Sequence, residues 1–415
     1  MELKNIKNKL RHAIISWVGN QEELTVDFIS EKVTLFLEQN KHLGINDKTK
    51  KEIIHSVSSD FLGLGPLQSL IDDEKITEIM VNGPFTIYVE KEGKKIASEV
   101  KFDDAAHLKY IIEKMISPSG RRVDESSPFA DFSLGDGARV NVILPPLSAK
   151  DAVVTIRKFL NSIKNVDNLV EMGTVDARMG EFLVACVKAK MNILFSGATG
   201  SGKTTTLEVL SSYIDPQERI ITIEDALELS LRQKHLVRLL TKPANIEGKG
   251  AFSTRDLFRN TLRMRPTRII LGEIRGEEAM DFLQALNSGH RGSLAVIHAS
   301  SPFDSIVRLE TMALYAGLNL PSWAIREQIS SGLDLIVQQE QFVDGTRKIT
   351  HITEVEGVKE NRIVLHDIFR YEIDETTDDF KVKGKFKANG VPKFLNIIEK
   401  QGIKIDKNIF IDQLK

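Results

Sequence analysis

Residues 197–204, GATGSGKT, join three glycines to Lys203 and Thr204 at the spacing G-x-x-x-x-G-K-[ST]. Glycines at these positions let successive backbone N–H groups turn inward and cradle a polyphosphate. Gly197, Thr199, Gly200, Ser201, Gly202 and Thr205 supply that cradle. Lys203 adds a point charge for the β- and γ-phosphates, and Thr204 a hydroxyl for Mg²⁺. The chemistry this implies is binding and cleavage of a nucleoside triphosphate, with ATP and Mg²⁺ as cofactors. An ordinary glycine turn would not explain Lys203 and Thr204.

Phosphoryl transfer also needs charges placed around the terminal phosphate. Four short apolar runs each stop at chemically active residues: 193–195 at the glycine loop, 220–223 at Glu224 and Asp225, 269–271 at Gly272 and Glu273, and 294–297 at His298. In an open parallel sheet, ligands bind outside the carboxyl ends of the strands, so these four ends predict one composite site. Glu273 is the candidate for polarising an attacking water. Gly272 stands where many such strands carry a metal-binding aspartate, so Glu224, Asp225 or Glu228 must organise the metal's water shell, with Glu224 and Glu273 acting through water. Glu228 reads equally well as part of a solvated helix face. His298 is placed to sense the γ-phosphate, although a single histidine after a strand is often structural.

Arginines form a second group. Arg255, Arg259 and Arg263 are spaced for one helix face, and Arg265, Arg268 and Arg275 flank the third apolar run. Their planar guanidinium groups suit phosphate. They read either as fingers acting in trans in an oligomer, with Arg263, Arg265 and Arg275 as candidates, or as interface ion pairs. Arg139 and Arg157 are further nucleotide-binding candidates from the earlier half.

The elements that position these groups follow from pattern. Residues 1–62 carry helical apolar spacing, and 63–160 alternate short strands and helices. Residues 161–173, NSIKNVDNLVEMG, read as a linker and hinge. From 174 to 415 strand and helix alternate, implying a mostly parallel sheet covered by helices, and after about 365 come a lysine-rich hairpin and an amphipathic tail. A length of 415 residues predicts two or three domains. A net charge of −2 argues against bulk attraction to nucleic acid or anionic lipid. The single cysteine, Cys186, excludes an internal disulfide framework and reads as a core residue. No apolar run reaches the ~18–20 residues of a membrane span. A cytoplasmic protein with peripheral membrane contact is expected.

These stretches together resemble the type II/IV secretion ATPase superfamily, and within it the CpaF type of tight-adherence pilus motor. The segments that carry the likeness are GATGSGKTT (197–205), TIEDALEL (222–229), ANIEGKG (244–250), LRMRPTRIILGEIRGEEAMDFLQALNSGHRGSLAVIHASSP (262–302) and REQISSGLDLIVQQ (326–339). ITEIMVNG (76–83), GRRVDESSP (120–128), DGARVNVILPP (136–146) and TIRKF (155–159) extend it into the first half. The resemblance implies a RecA-like P-loop ATPase domain, preceded by a small PAS-like α/β domain and an N-terminal helical segment. It also implies a homohexamer that works on inner-membrane platform proteins, without direct nucleic-acid binding. It assigns catalytic roles to Glu224, Glu228, Glu273 and His298, and nucleotide contacts to Arg139 and Arg157. It places His290 in the family's GH-x-GS segment. The chain departs from the family pattern at Ser133, where an arginine is usual, and at Val296 and Ser300 beside the histidine. Two other classes remain open: a DNA-translocating hexamer serving conjugation, and a low-turnover nucleotide-dependent scaffold.

Overall fold

The helical spacing of the first segment produces three helices in the computed structural model, which describes residues 3–17, 24–40, 45–135, 137–158, 163–242, 244 and 249–412. These are α1 (Leu3–Trp17), α2 (Val26–Gln39) and α3 (Asp47–Leu62). The Thr25 and Asn46 side chains accept N–H groups of the first turns of α2 and α3, which fixes where those helices start. Ile6, Leu10, Ile14, Ile29, Val33, Ile53 and Val57 form their shared core.

The chain divides into two compact units, Met1–Leu160 and Asn161–Lys415. After α4 (Gln68–Asp72), the first unit builds a six-stranded antiparallel sheet in the order β3-β2-β1-β6-β5-β4. Its strands are β1 (Ile76–Asn82), β2 (Ile87–Lys91), β3 (Lys94–Ala97), β4 (Phe129–Ser133), β5 (Arg139–Ile143) and β6 (Val153–Arg157). Helix α5 (Ala105–Ile116) packs Leu108, Ile111, Ile112 and Met115 into the sheet's core.

Residues 1–62 and 63–160, separated in the sequence reading, share this one unit. A buried charge network joins them. Arg11 donates to Asp60 at 2.8 Å and to Asp103 at 2.7 Å, and His107 Nε2 lies 2.9 Å from Asp60. Lys114 of α5 meanwhile donates to the carbonyls of Asp60, Phe61 and Gly63 at the end of α3. Arg11→Ala would leave Asp60, fully buried, without its main counter-charge. The expected cost is about 3–5 kcal/mol of stability, read by denaturant unfolding. Burial pushes the His107 pKa down, but hydrogen bonds to Asp103 and Asp60 more than reverse this, so it lies above the ordinary value. A raised histidine pKa stabilises the fold fully below the unfolded value of ~6.5, and that contribution fades as pH rises through the folded value. The network should therefore weaken on the alkaline side.

The second unit carries a nine-stranded sheet in the order β15-β14-β13-β12-β7-β11-β10-β8-β9. Its parallel members are β7 (Ile193–Gly197), β8 (Ile220–Glu224), β9 (Leu236–Leu240), β10 (Arg268–Leu271), β11 (Leu294–Ile297) and β12 (Leu335–Gln341). An antiparallel extension follows with β13 (Arg347–Lys359), β14 (Arg362–Thr376) and β15 (Val382–Ala388). Alternate residues of the central strands face opposite cores. Ile193, Phe195, Ile270, Leu294 and Val296 join one cluster, while Leu194, Ile269, Leu271, Ala295 and Ile297 join the other. Helices α6 (Val166–Glu171), α7 (Ala177–Lys188) and α8 (Lys203–Ser211) contribute to the first cluster. Helices α9 (Thr254–Thr261), α10 (Glu278–Asn287), α11 (Pro302–Leu314) and α12 (Ser322–Gly332) contribute to the second. Helices on both faces of a sheet whose central parallel strands β7, β8, β10 and β11 are buried throughout give the expected RecA-like α/β architecture.

Two expectations change. The stretch 161–173 is not bare linker: Asn165 caps α6, and Val166 and Leu169 are buried in the second unit, while residues 161 and 162 lie outside the described residues. The amphipathic tail is core material. Phe394 and Leu395, at the start of α13 (Leu395–Lys400), join Ile398, Ile409 and Phe410 in the first cluster, and Phe182 meets the Phe410 ring at 5.3 Å. Among the described residues, no helix is long and apolar enough to cross a membrane.

Candidate functional site

The glycine loop follows directly from β7. Gly197 has φ +151°, and a Cβ there would lie 2.1 Å from the carbonyl oxygen of Gln339, its register partner on β12. No side chain fits. Gly202, in the left-handed region at φ +99°, precedes α8 as a cap without a side-chain hydrogen bond. The positive end of the α8 dipole thus opens onto the loop, where it favours an anion. Lys203 is 6% exposed, and its Nζ donates to Ala198 O at 2.6 Å, inside the loop. The buried Ser201 donates to the same carbonyl at 2.9 Å. Thr204 and Thr205 are half-buried in the first turn of α8. This cradle fits a polyphosphate, with Thr204 as the hydroxyl available to a magnesium ion.

Strand order brings the other groups to the same rim. β11 lies between β7 and β10, and parallel strands ~4.8 Å apart end on one edge. His298 follows β11, one strand from the loop, and Glu273 follows β10, two strands away. His298 Nε2 lies 3.3 Å from Glu273 Oε1, and Arg275 Nη2 donates to Glu273 Oε2 at 2.6 Å. Partial burial alone would raise the Glu273 pKa, but these two partners overcome it and hold the carboxyl down at about 2. Such a group is ionised throughout the physiological range and a poor proton acceptor. It suits orienting a water more than deprotonating one.

Glu224, Asp225, Glu228, Gly272, Glu273 and Arg275 line one narrow cleft between the ends of β8 and β10. Glu224 is 2% exposed and fully engaged. Its Oε2 accepts the N–H groups of Glu228 and Leu229, both at 2.7 Å, and its Oε1 accepts the Thr222 hydroxyl at 2.9 Å and faces Arg238 at 3.5 Å. In this arrangement it shapes the 225–229 loop rather than turning an oxygen toward a metal's water shell. At Gly272 a Cβ would meet Glu224 Cγ at 3.3 Å, so a side chain there would press on Glu224. Arg275 also reaches Asp225 at 3.3 Å and so ties the two strand ends together.

The other arginines separate. Arg255 and Arg259 both donate to Asp281 of α10 at 2.8 Å, and Arg255 also to Glu277, so they fasten α9 to α10. Arg263 lies beyond α9, which ends at Thr261. Arg268 is fully buried in a two-pronged pair with Glu218 at 2.9 and 3.0 Å. Arg265 and Arg268 stand at the start of β10, so within the chain they sit at the rim opposite the loop; of the three finger candidates only Arg275 is at the site. His290, before β11, is likewise on that far side. Arg139 and Arg157 belong to the first unit, where they are cross-strand partners on β5 and β6.

Two residues escaped the sequence reading. Gln339 is 3% exposed, and its amide oxygen lies 2.8 Å from the Thr206 hydroxyl beneath the loop. Arg347, opening β13, donates to Gly200 O at 2.8 Å. The signal for Gln339 was present: the apolar run 335–337 stops at two glutamines, as the other four runs stop at polar residues.

Glu208 of α8 adds a titrating group nearby. Burial pushes its carboxyl up to about 7, with the Ser230 N–H opposing and the Glu224 charge assisting. A carboxyl whose folded pKa is raised binds its proton more tightly in the folded state, so stability is greatest below the unfolded value and falls as pH climbs to about 7. Glu208→Gln should flatten the decline between pH 5 and 7.5 and be the more stable protein at pH 8, as read by urea unfolding at each pH.

The chain is similar to known proteins. Residues 60–364 match the family described as "Type II/IV secretion system protein". VirB11 of Agrobacterium tumefaciens is 31% identical over 311 residues, covering 68% of this chain and 90% of VirB11. A Mycobacterium tuberculosis protein whose name ties it to conjugal transfer is 29% identical over 336 residues, covering 76% of this chain and 95% of its own. The crystal structure of the pilus retraction motor PilT with bound ADP is similar in fold, with a TM-score of 0.50 at 20% identity, covering 81% of this chain and 85% of PilT. With the loop, the rim residues and the match over residues 60–364 in agreement, the chain belongs to the type II/IV secretion system protein family.

Proposed function

We propose that this chain is an ATP-hydrolysing motor of a secretion or pilus machine, of the CpaF type, working as a homohexamer on inner-membrane platform proteins. The observation that carries the reading is Glu273, held ionised between His298 and Arg275 on the rim where the Lys203 loop opens. The loop amides and Lys203 bind the phosphates, and Thr204 would hold the magnesium ion, which neutralises the charge on the phosphate oxygens. Glu273 orients water toward the terminal phosphate, and His298 registers whether that phosphate is present. Arg275, or Arg263 and Arg265 in trans, completes the charge.

The deciding assay is magnesium-dependent phosphate release by the purified oligomer. Turnover in the wild type, lost in Lys203→Ala, supports the reading, and release at equal rates in both overturns it. A second reading, DNA transport in conjugation, is favoured by the name of the Mycobacterium relative. The net charge of −2 weighs against direct DNA contact. Salt-sensitive stimulation by DNA would reverse that judgement.

A further inference from the structure

A second cluster of ligand-bearing side chains lies away from the nucleotide loop, on the β13–β14 hairpin. Glu354 and His366 are cross-strand partners. Glu356 is the extra residue of a bulge between Val355 and Gly357, a device that re-aims a side chain. One ligand atom from each of the three side chains lies within 4.8 Å of the others. His366 Nδ1 stands 3.7 Å from Glu354 Oε2 and 3.6 Å from Glu356 Oε1. It is a buried nitrogen with no hydrogen-bond partner. These separations exceed a hydrogen bond. They approach the ~3.4 Å between neighbouring ligands of a tetrahedral ion with bonds of about 2.1 Å. Regular octahedral geometry at the same bond length would need about 3.0 Å.

The surroundings hold the three groups in place. Glu354 accepts the N–H groups of Lys393 and Phe394 at 3.0 and 3.2 Å, and Glu356 Oε2 accepts from Lys393 Nζ at 2.7 Å. Gly390 lies flat against the imidazole: a Cβ there would be 3.1 Å from His366 Cε1. The two carboxylates are thus oriented by hydrogen bonds from the segment leading into α13, as outer contacts orient metal ligands, while the imidazole packs against Gly390.

We propose that Glu354, Glu356 and His366 bind a zinc ion, with water completing the coordination, and that the ion fastens β13 to β14 at the bulge. One nitrogen and two carboxylate oxygens suit a borderline divalent ion, and zinc takes such ligands with water in the open position. The site lies seven residues along β13 from Arg347, about 23 Å from the loop contact, and is independent of nucleotide.

The test uses the full-length chain, stripped with chelator and kept free of nucleotide. Calorimetric titration with zinc sulfate should show one site per chain of micromolar or tighter affinity, weakened at least tenfold in His366→Ala and in Glu356→Gln. Zinc should raise the thermal midpoint by several degrees in the wild type alone. Cobalt(II) provides a check that needs no variant: intense visible bands of four-coordinate cobalt support the site. Equal zinc binding by the wild type and both variants, weak six-coordinate cobalt bands, or an adventitious ion only (substoichiometric, without a thermal shift) would overturn it.

Discussion

Glu273→Gln is expected to lower turnover by about 10²–10³-fold while leaving nucleotide affinity within a few-fold. The amide keeps the shape of the carboxylate and removes its charge. His298 and Arg275, now held to Glu273 at 3.3 and 2.6 Å, lose the anion that orients them, although Arg275 keeps Asp225. The loop and Lys203 lie two strands away and are untouched, so binding and chemistry separate in this variant. Because the Glu273 carboxyl sits at about 2, the wild-type rate should show no acidic limb from this group between pH 5 and 8. Stopped-flow phosphate release, paired with fluorescent-nucleotide binding, checks both halves. Turnover within threefold of the wild type would remove Glu273 from the reaction.

Gly197→Ala should abolish nucleotide binding and lower stability by about 3 kcal/mol or more. The new methyl would meet Gln339 O at 2.1 Å, and that oxygen is backbone, so relief requires parting β7 from β12. Gly200→Ala makes the informative contrast. Its nearest obstacle is the tip of the flexible Gln341 side chain at 3.3 Å, so the cost is that of a left-handed alanine at φ +79°, about 1–2 kcal/mol, and the fold keeps most of its stability. Thermal unfolding and nucleotide binding on the pair should rank Gly197→Ala far below Gly200→Ala. Equal behaviour would mean that the loop does not lean on β12 as described.

Sequence was most informative where short-range pattern and chain direction suffice. The loop, Glu273 and His298 were readable because parallel strands must end on one edge, so polar residues after apolar runs converge. Charges whose partners lie far along the chain were not readable. Arg268 looked like a phosphate ligand, but Glu218, 50 residues away, claims it. Arg255 and Arg259 were on one face as expected, yet Asp281 takes both. Glu224 looked like a metal acid because a strand end gives no hint that four neighbours would engage its oxygens. The polar letters of 161–173 looked like linker, whereas Asn165 was serving as a helix cap. The Arg11, Asp60, Asp103 and His107 network unites segments that composition had separated, and no local pattern announces it.

The central claim is best tested by imaging the Glu273→Gln oligomer with magnesium and ATP. The account predicts density for the nucleotide on the 197–204 loop, its terminal phosphate between Lys203 and the pair formed by residue 273 and His298. A triphosphate bound elsewhere, or one whose terminal phosphate points away from that rim, would contradict it.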